Sequence, residues 1–407
     1  MLKNTDPKVN KIIQAEDNRR QNSLNLIPSD NHSSKEIYEA LGSVFNDKYA
    51  EGKPHARYYG GQVFVDEIED LAVNRALKMF KLSEKNWHAN VQPYSGSPAN
   101  AEIYFALLNF GDKILGMKLD QGGHITHGLS ISFSGKAYKI ASYGVDSKTE
   151  MLDYDEILKI AKKEKPKMIV CGATAYSRII DFKKFSQIAK KVGAYLLADV
   201  SHIAGLIVGG THPSPFPYAD IVMTTTHKTL RGPRGAIIIS RKELGDKIDK
   251  AVFPGLQGGP HEHQIAAKAV CFGQAMDPEF KTYAKQIVKN AKTLAKELQK
   301  KGLRIVTGGT DNHLMLVDLR SLKITGKEAQ TMLEEVGIIV NKNTIPNDPQ
   351  KPFIGSGIRL GTPAITTRGM KEKEMKIVAD LIVATLSKSI SKISKQVTAL
   401  CQKFPIS

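Results

Sequence analysis

Short apolar runs alternate with amphipathic segments over most of the first part of the chain. The apolar runs have the length of buried strands and lie at Lys113–Met117, Lys167–Val170, Ala194–Ala198, Asp220–Thr225 and Ala236–Ser240. Apolar residues recur at the spacing of a helix in two segments that alternate with these runs, Ser97–Phe110 and Phe182–Val192. This alternation predicts an α/β fold with a mostly parallel central sheet and helices on both faces.

The pattern changes near Asp277-Pro278-Glu279, where a long lysine-rich amphipathic segment begins. Beyond this point we predict helices over Lys281–Lys301, Gly326–Val336 and Arg368–Leu386, and strands over Arg304–Val306, His313–Leu319 and Ile358–Leu360. The chain is therefore predicted to have an N-terminal arm (residues 1–50), a large domain (51–278) and a small α+β domain (279–407). The pattern leaves open whether the tail from Ser387 packs or frays.

Composition indicates a folded protein with more than one core, because the chain has 407 residues, of which 41% are hydrophobic and 24% charged. The net charge of +17 suggests a polyanion partner, but the lysines are spread along the chain. Between Lys371 and Lys403 they alternate with apolar residues at helical spacing, which is typical of solvated helix faces. Nucleic-acid binding is therefore not expected as the primary role.

No membrane association is expected, since no apolar run reaches spanning length and the first residues lack the apolar core of a signal peptide. The three cysteines, Cys171, Cys271 and Cys401, are too few and too scattered for a disulfide framework or a four-cysteine zinc site. These observations favour a cytoplasmic location.

The segment Thr224-Thr225-Thr226-His227-Lys228-Thr229 follows an apolar run, Ala219–Met223, and precedes a turn rich in glycine and proline. It places Lys228 at the carboxyl end of a buried strand, where open α/β sheets bind their ligands. A desolvated amine can lose its proton and form a Schiff base. The alternative is one more surface lysine.

Two further segments suit the same kind of ligand. Ser95-Gly96-Ser97 directly precedes a predicted helix, and the free N–H groups of a helix start bind phosphate. Asp199 ends another predicted strand, where a carboxylate needs a cationic partner. The alternatives are an ordinary N-cap serine and an aspartate that begins a turn.

A histidine, His124, follows two glycines that would let the backbone approach a planar ligand, on which the imidazole can stack. The alternative is a metal pair of His124 and His127, with His261 and His263 as further ligands. We predict no metal, because no cysteine or glutamate completes a zinc pattern at suitable spacing.

Together these features are what pyridoxal phosphate requires. Lys228 would form the aldimine, Asp199 would keep the ring nitrogen protonated, and Ser95-Gly96-Ser97 would bind the phosphate. Their order along the chain is that of the aspartate-aminotransferase-like fold, fold type I of the pyridoxal-phosphate enzymes.

From Arg19 to Leu386 the sequence resembles the serine hydroxymethyltransferase (glycine hydroxymethyltransferase) family. The blocks that carry this resemblance are Lys48-Tyr49-Ala50-Glu51-Gly52, Arg57-Tyr58-Tyr59-Gly60-Gly61, Gly122-Gly123-His124, Thr225-Thr226-His227-Lys228-Thr229, Gln257-Gly258-Gly259-Pro260 and Gly357-Ile358-Arg359-Leu360-Gly361-Thr362-Pro363. The resemblance implies reversible transfer of the serine hydroxymethyl carbon to tetrahydrofolate, which gives glycine and 5,10-methylenetetrahydrofolate.

The resemblance also implies a role for each matching residue. For the cofactor, covalently bound to Lys228, the implied contacts are Asp199, His124, Thr174, His202, Ser95, Gly96, Ser97, Thr225 and His227. Contacts from a second subunit are implied for Tyr49, Gly258 and Gly259, so a homodimer with shared active sites is expected. Whether two such dimers form a tetramer is left open.

For the substrates, the resemblance implies that Arg359, assisted by Ser29, binds the serine carboxylate. Glu51 and Tyr59 of the second subunit would transfer protons near the hydroxymethyl group, with Tyr58 beside them. The pteridine site would be lined by Leu119, Gly123 and Asn343. The positive charge of the chain could in addition attract anionic, polyglutamylated folates.

Some positions depart from the commonest family pattern, namely Pro28, Asp30, Thr174, Ser201 and the pair Gln62-Val63. None removes a catalytic group, but they bear on substrate and folate preference. The alternative function is a folate-independent aldolase for threonine-type β-hydroxy amino acids, against which the implied folate-binding positions argue.

Overall fold

A computed structural model describes residues 2–387 and 392–406. Residues 1, 388–391 and 407, which belong to the predicted N-terminal arm and C-terminal domain, lie outside the described residues. In chain order, helices α1 to α16 are Leu2–Thr5, Pro7–Gln21, Lys35–Leu41, Val63–Met79, Gly96–Leu107, Phe133–Ala137, Tyr154–Glu164, Phe182–Val192, Ala204–Val208, Gly245–Lys250, Glu262–Met276, Pro278–Lys300, Gly326–Glu335, Pro363–Thr367, Glu372–Leu386 and Ile393–Lys403. Strands β1 to β15 are Leu24–Asn25, Gly52–Lys53, Ala56–Arg57, Trp87–Asn90, Lys113–Met117, Lys139–Tyr143, Met168–Cys171, Tyr195–Asp199, Ile221–Thr225, Ala236–Arg241, Arg304–Ile305, Leu314–Asp318, Ile338–Ile339, Asn341–Asn343 and Gly357–Gly361.

The chain forms two compact units. The larger comprises residues 33–285, and the smaller combines the residues up to 32 with those from 286 onward. In the part of the chain that the structure describes, no helix is both long and apolar enough to cross a membrane.

The larger unit is built on a seven-stranded sheet in the order β4-β10-β9-β8-β7-β5-β6. Strands β9, β8, β7, β5 and β6 run parallel to one another, whereas β10 is antiparallel to both β4 and β9. Every residue of β7 and β9 is buried, as expected for strands covered on both faces. The predicted α/β fold with a mostly parallel sheet is therefore confirmed.

Helices flank this sheet because their apolar residues form one face. In α8, the Asp181 side chain accepts from the Lys184 N–H at the start, and Gly193 in the left-handed conformation ends the helix. Its apolar face buries Phe182, Phe185 and Ile188. The helix thus ends immediately before β8, whose carboxyl end carries Asp199.

The smaller unit has an antiparallel sheet in the order β11-β12-β15-β14, so β15, which carries Arg359, is an inner strand. A separate parallel pair joins β1 to β13. One apolar core contains Leu24 and Leu26 near the N-terminus together with Val397 and Leu400 of α16. The described part of the C-terminal tail is therefore packed.

The units differ from the predicted domains in three places. Residues 33–50, the second part of the predicted arm, belong to the larger unit. Residues up to 32 are part of the smaller unit rather than of a separate arm, because Leu24 and Leu26 are fully buried in its core. Residues 279–285 belong to the larger unit, because Ala284 packs against Gly209 and the Arg231 guanidinium lies 5.8 Å from the Tyr283 ring centre.

One predicted helix is wrong in its extent. The helix predicted over Arg368–Leu386 begins four residues later, as α15 at Glu372; the residues before it, after the end of α14 at Thr367, include Gly369 with a φ of +90°. A positive φ ends a right-handed helix, and glycine adopts it at little cost. The other predicted helices and strands are present, with ends displaced by up to three residues.

Candidate active site

Asp199 lies at the carboxyl end of β8, beside Met223 of the parallel strand β9. The His127 Nε2 and Asn100 Nδ2 atoms each lie 3.0 Å from its Oδ2, and the Ser201 backbone N–H donates to Oδ1 at 3.1 Å. Burial alone would raise the pKa of this carboxyl, but the His127 contact and the other polar neighbours outweigh it and hold the pKa well below its ordinary value. Asp199 is therefore a buried, oriented anion.

Two of these partners were missed as functional residues by sequence reasoning. Asn100 lies on α5, and its Nδ2 also donates to the Thr126 hydroxyl at 2.8 Å. His127 was considered only as a metal ligand. The position of His127, three residues after His124, could have indicated a role at the site. Its partner Asp199, however, is distant in sequence.

The polar atoms of His124, His127 and Asp199 lie within 4.8 Å of one another, close enough to hold a metal ion. In this geometry His127 Nε2 is hydrogen-bonded to Asp199, and His124 Nδ1 lies 2.8 Å from the Thr126 hydroxyl. His261 and His263 stack on each other with ring centres 5.8 Å apart and are not members of this cluster.

Lys228 follows β9 and is 9% exposed. Its Nζ donates to the Thr225 hydroxyl at 3.2 Å, and the Thr225 N–H in turn donates to the Ser201 hydroxyl at 3.2 Å. The Thr225–Ser201 hydrogen bond thus connects the carboxyl end of β9 to the segment that follows Asp199. The next residue, Thr229, donates its hydroxyl to the His202 carbonyl at 3.0 Å, which brings His202 to the same region.

His227, beside Lys228, has an unusual electrostatic environment. Burial, helped by the neighbouring Lys228 and Arg234, lowers the pKa of His227 to about 3, so its ring is neutral. In the described residues its Nδ1 is buried without a hydrogen-bond partner. An unpaired buried acceptor or donor is costly, and a ligand that reached it would remove that cost.

Residues Ser95–Ser97, hereafter the phosphate turn, form the start of α5. The Ser95 hydroxyl makes no capping hydrogen bond to this helix in the part of the chain described. A Cβ on Gly96 would lie 2.7 Å from the Thr225 Cγ2, so only glycine lets the turn approach the strand end that carries Lys228. Free N–H groups and the helix dipole make this a suitable place for a phosphate.

A second loop of the same chain lies beside the phosphate turn. Tyr94 donates its N–H to the Gln257 side-chain oxygen at 2.9 Å and its hydroxyl to the Gly259 carbonyl at 2.8 Å. A Cβ on Gly259 would be 3.1 Å from the Tyr49 ring.

Tyr49 is also part of an aromatic pair, with its ring centre 5.7 Å from that of Tyr59. A Cβ on Gly258 would lie 3.5 Å from the Glu51 carboxylate and 3.7 Å from the Tyr49 hydroxyl. Tyr49, Glu51, Tyr59 and the two glycines are thus neighbours within one chain, although the predicted roles place them at the active site of a second subunit. Tyr58, next to this group, is 81% exposed.

The glycines before His124 bring two strand ends together. Gly122 has a φ of +115°, and its carbonyl accepts from the Thr174 N–H at 2.8 Å. Gly123 packs so closely on the Met117 carbonyl that no side chain would fit. Leu119, predicted to contact folate, begins this segment and is partly exposed.

In the smaller unit, Arg359 is buried on β15, and its Nε donates to the Asn341 side-chain oxygen at 3.1 Å. Burial lowers the pKa of this guanidinium to about 10, and Asp30 partly opposes the shift. The loop that carries Ser29 and Asp30 lies beside the same strand, since the Gly361 N–H donates to the Leu26 carbonyl at 2.7 Å.

Pro28 of that loop lies against Gly361, where a Cβ would be 2.5 Å from the Pro28 Cα. The third predicted residue of this unit, Asn343, is on the neighbouring strand β14, opposite Gly357. Arg359, Ser29 and Asn343 are thus carried by adjacent segments of one unit.

The donor set of the larger unit fits pyridoxal phosphate. It offers a buried lysine, a buried carboxylate for a protonated ring nitrogen, and a helix start for a phosphate, all on neighbouring segments.

This architecture and donor set are typical of pyridoxal-phosphate enzymes of fold type I, the class with the aspartate-aminotransferase-like fold. A sequence model of one family within that class, described as serine hydroxymethyltransferase, matches residues 2–382 of the 407. The chain belongs to the serine hydroxymethyltransferase family, whose members are pyridoxal-phosphate-dependent glycine hydroxymethyltransferases.

Proposed function

We propose that this protein transfers the hydroxymethyl carbon of serine reversibly to tetrahydrofolate and so forms glycine and 5,10-methylenetetrahydrofolate. The observation that carries the proposal is the placement of Asp199 and Lys228 at the ends of the neighbouring parallel strands β8 and β9, with the phosphate turn against Thr225. Family membership over most of the chain supports the same reaction.

When bound, pyridoxal phosphate supplies an aromatic ring that accepts the electron pair left on the α-carbon when the hydroxymethyl carbon departs. Lys228 would hold the cofactor covalently, and Asp199 would keep a proton on its ring nitrogen. His124 would stack on the ring, with Thr174 and His202 near its oxygen substituent. His227 and Thr225 adjoin Lys228 and would complete the cofactor site.

Arg359 would bind the serine carboxylate, for which a guanidinium offers two parallel donors, and Ser29 would assist. Glu51 and Tyr59 would move protons near the hydroxymethyl group, with Tyr58 beside them. The pteridine of the folate would contact Leu119, Gly123 and Asn343.

We propose a homodimer in which Tyr49, Glu51, Tyr58, Tyr59, Gly258 and Gly259 complete the site of the second subunit. The exposure of Tyr49 and Tyr58, 57% and 81%, supports this arrangement, because large exposed aromatic side chains are typical of interfaces. We also propose a cytoplasmic location, supported by three buried cysteines without disulfides. Attraction of polyglutamylated folates would follow from the net charge of +17.

The test uses purified protein loaded with pyridoxal phosphate, then treated with borohydride and digested. A cofactor mass on the peptide that contains Lys228 is expected, and its absence there would overturn the assignment of this lysine. Lys228→Ala is the control and should carry no such mass.

A second assay follows conversion of labelled serine to glycine with and without tetrahydrofolate. Formation of 5,10-methylenetetrahydrofolate that depends on added folate supports the proposal. Cleavage of threonine-type β-hydroxy amino acids together with no response to folate would establish the aldolase instead.

A further inference from the structure

Lys268 lies in the middle of helix α11 and is 1% exposed. Lysine side chains are almost never fully buried unless they are paired. No role in the proposed reaction has been given to this residue, and it is distant in sequence from the phosphate turn. Its hydrogen bonds, however, are made to residues that come just before that turn in the sequence.

The Lys268 amine donates two hydrogen bonds, to the Val91 carbonyl at 2.7 Å and to the Pro93 carbonyl at 3.0 Å. Residues 91–93 follow strand β4 and immediately precede Tyr94 and the phosphate turn. The carbonyl between the two, that of Gln92, accepts from the Gln257 side-chain nitrogen at 3.1 Å. Side chains from two other segments therefore satisfy the three carbonyls of this short connection.

The same lysine also meets the segment that supports Lys228. A Cβ on Gly235 would lie 2.5 Å from the Lys268 Cε, and the Gly235 carbonyl accepts from the Thr226 N–H at 3.0 Å. The Ala236 N–H donates to the Pro93 carbonyl at 3.4 Å, beside the lysine amine. Lys268 thus lies where the connection to the phosphate turn meets the start of β10.

Acidic groups surround this amine without sharing its hydrogen bonds. Glu102, on the helix that begins with the phosphate turn, and Glu262, on α11 itself, both lie near enough to interact with its charge, as does Glu69 on α4. Burial lowers the pKa of Lys268 to about 7 and raises those of Glu102 and Glu262 to about 8. The carbonyl contacts do not depend on these titrations, because even a neutral amine has two hydrogens to donate.

We propose that Lys268 is a positioning residue for the phosphate turn, which it holds in place through the carbonyls of Val91 and Pro93. Without the amine, two buried carbonyls would have to move toward water or remain poorly paired, and the turn that follows them would shift. The inference rests on the proposed function, since it takes the turn as the place where the cofactor phosphate binds.

The test compares two probes on protein freed of cofactor: pyridoxal phosphate, and pyridoxal, which lacks the phosphate. Dissociation constants are measured from the visible absorption of the bound compounds. Lys268→Met keeps roughly the length of the side chain but has no donor. It should raise the dissociation constant of pyridoxal phosphate by about 10-fold or more and that of pyridoxal by less than about threefold. The phosphorus resonance of bound pyridoxal phosphate should also move.

Two further variants guard against a simple loss of folding. Gly235→Ala keeps the lysine but forces its Cε away from its present position, and it should shift the ratio of the two constants in the same direction. Lys268→Gln retains donors and should recover part of the ratio. Should Lys268→Met yield no folded protein, these two variants carry the comparison.

The control is Arg368→Met, which also removes a buried cation that binds backbone carbonyls, but in the smaller unit. This variant should lower the free energy of unfolding and leave unchanged the ratio of the dissociation constants of pyridoxal phosphate and pyridoxal. The inference would be overturned if Lys268→Met and Gly235→Ala bound both probes as tightly as wild type does. It would also be overturned if the variants lost affinity equally for the two probes. Wild-type protein that binds neither probe would instead overturn the proposed function.

Discussion

His127→Phe removes the ring that contacts Asp199 and keeps a planar side chain of similar size. The His127 side chain is 1% exposed, and its Nε2 lies 3.0 Å from the Asp199 Oδ2. A hydrogen bond to a buried charged group contributes about 1.5–3 kcal/mol. Its loss should therefore weaken the binding of pyridoxal phosphate, or lower the rate of serine cleavage, by about 10- to 150-fold.

The effect should depend on pH, and its sign follows from the carboxyl. His127 helps to hold the pKa of Asp199 well below its ordinary value, so the wild-type carboxyl stays ionised across the working range. In the variant the His127 contact no longer counteracts the effect of burial, so the pKa of Asp199 is higher than in wild type. The deficit should thus be greatest at low pH and shrink as the pH rises.

The assay measures cofactor affinity and steady-state kinetics of wild type and variant across a pH series. His88→Phe is a matched control, because His88 forms a similar pair with Asp249, 2.7 Å apart, outside the proposed site. It should leave cofactor affinity unchanged. Equal affinities and parallel pH profiles for His127→Phe and wild type would refute the reasoning.

Three other substitutions have definite expected results. Arg368→Met should lower the free energy of unfolding by at least about 1–3 kcal/mol, because it leaves buried carbonyls without donors. The guanidinium donates to five backbone carbonyls. An unchanged midpoint in urea would contradict this. Glu102, with a pKa raised by burial from 4.5 to about 8, keeps a proton that the unfolded chain releases, so it removes stability as pH rises between those values. Glu102→Gln should flatten that decline in thermal unfolding, and parallel curves would count against it. Ser201→Ala removes the acceptor of the Thr225 N–H and should weaken pyridoxal phosphate by about 10-fold; affinity equal to wild type would show the contact to be dispensable.

The sequence predicted well those features that are local. Lys113–Met117 and Phe182–Val192 have the predicted bounds, because a short apolar run and an amphipathic repeat each specify their element directly. The end of β9 was also predicted, and that of β8 to within one residue, and with them the placement of Asp199 and Lys228 at the same edge of the sheet. Parallel strands bring their carboxyl ends to one edge, so this proximity follows from local patterns.

Features that depend on distant contacts were not predicted. Strand β4, Trp87–Asn90, lies at a sheet edge against the antiparallel β10 and has too little alternation to stand out. The partners of Asp199 could not be deduced from spacing, because Asn100 is 99 residues away in the chain. Lys268 resembles every other helical lysine until its burial is known.

The division of the chain has a consequence for the order of its synthesis. Residues 33–285 are contiguous, so the larger unit can fold as soon as they leave the ribosome. Leu24 and Leu26, made earlier, are buried only when the other members of their core have been made, and these include Val397, Leu400 and Cys401 of α16. Arg368 then binds carbonyls from both segments, those of Gln21 and Cys401 included. The apolar segment that contains Leu24 and Leu26 therefore cannot be buried in its final core until residues near 400 have been made.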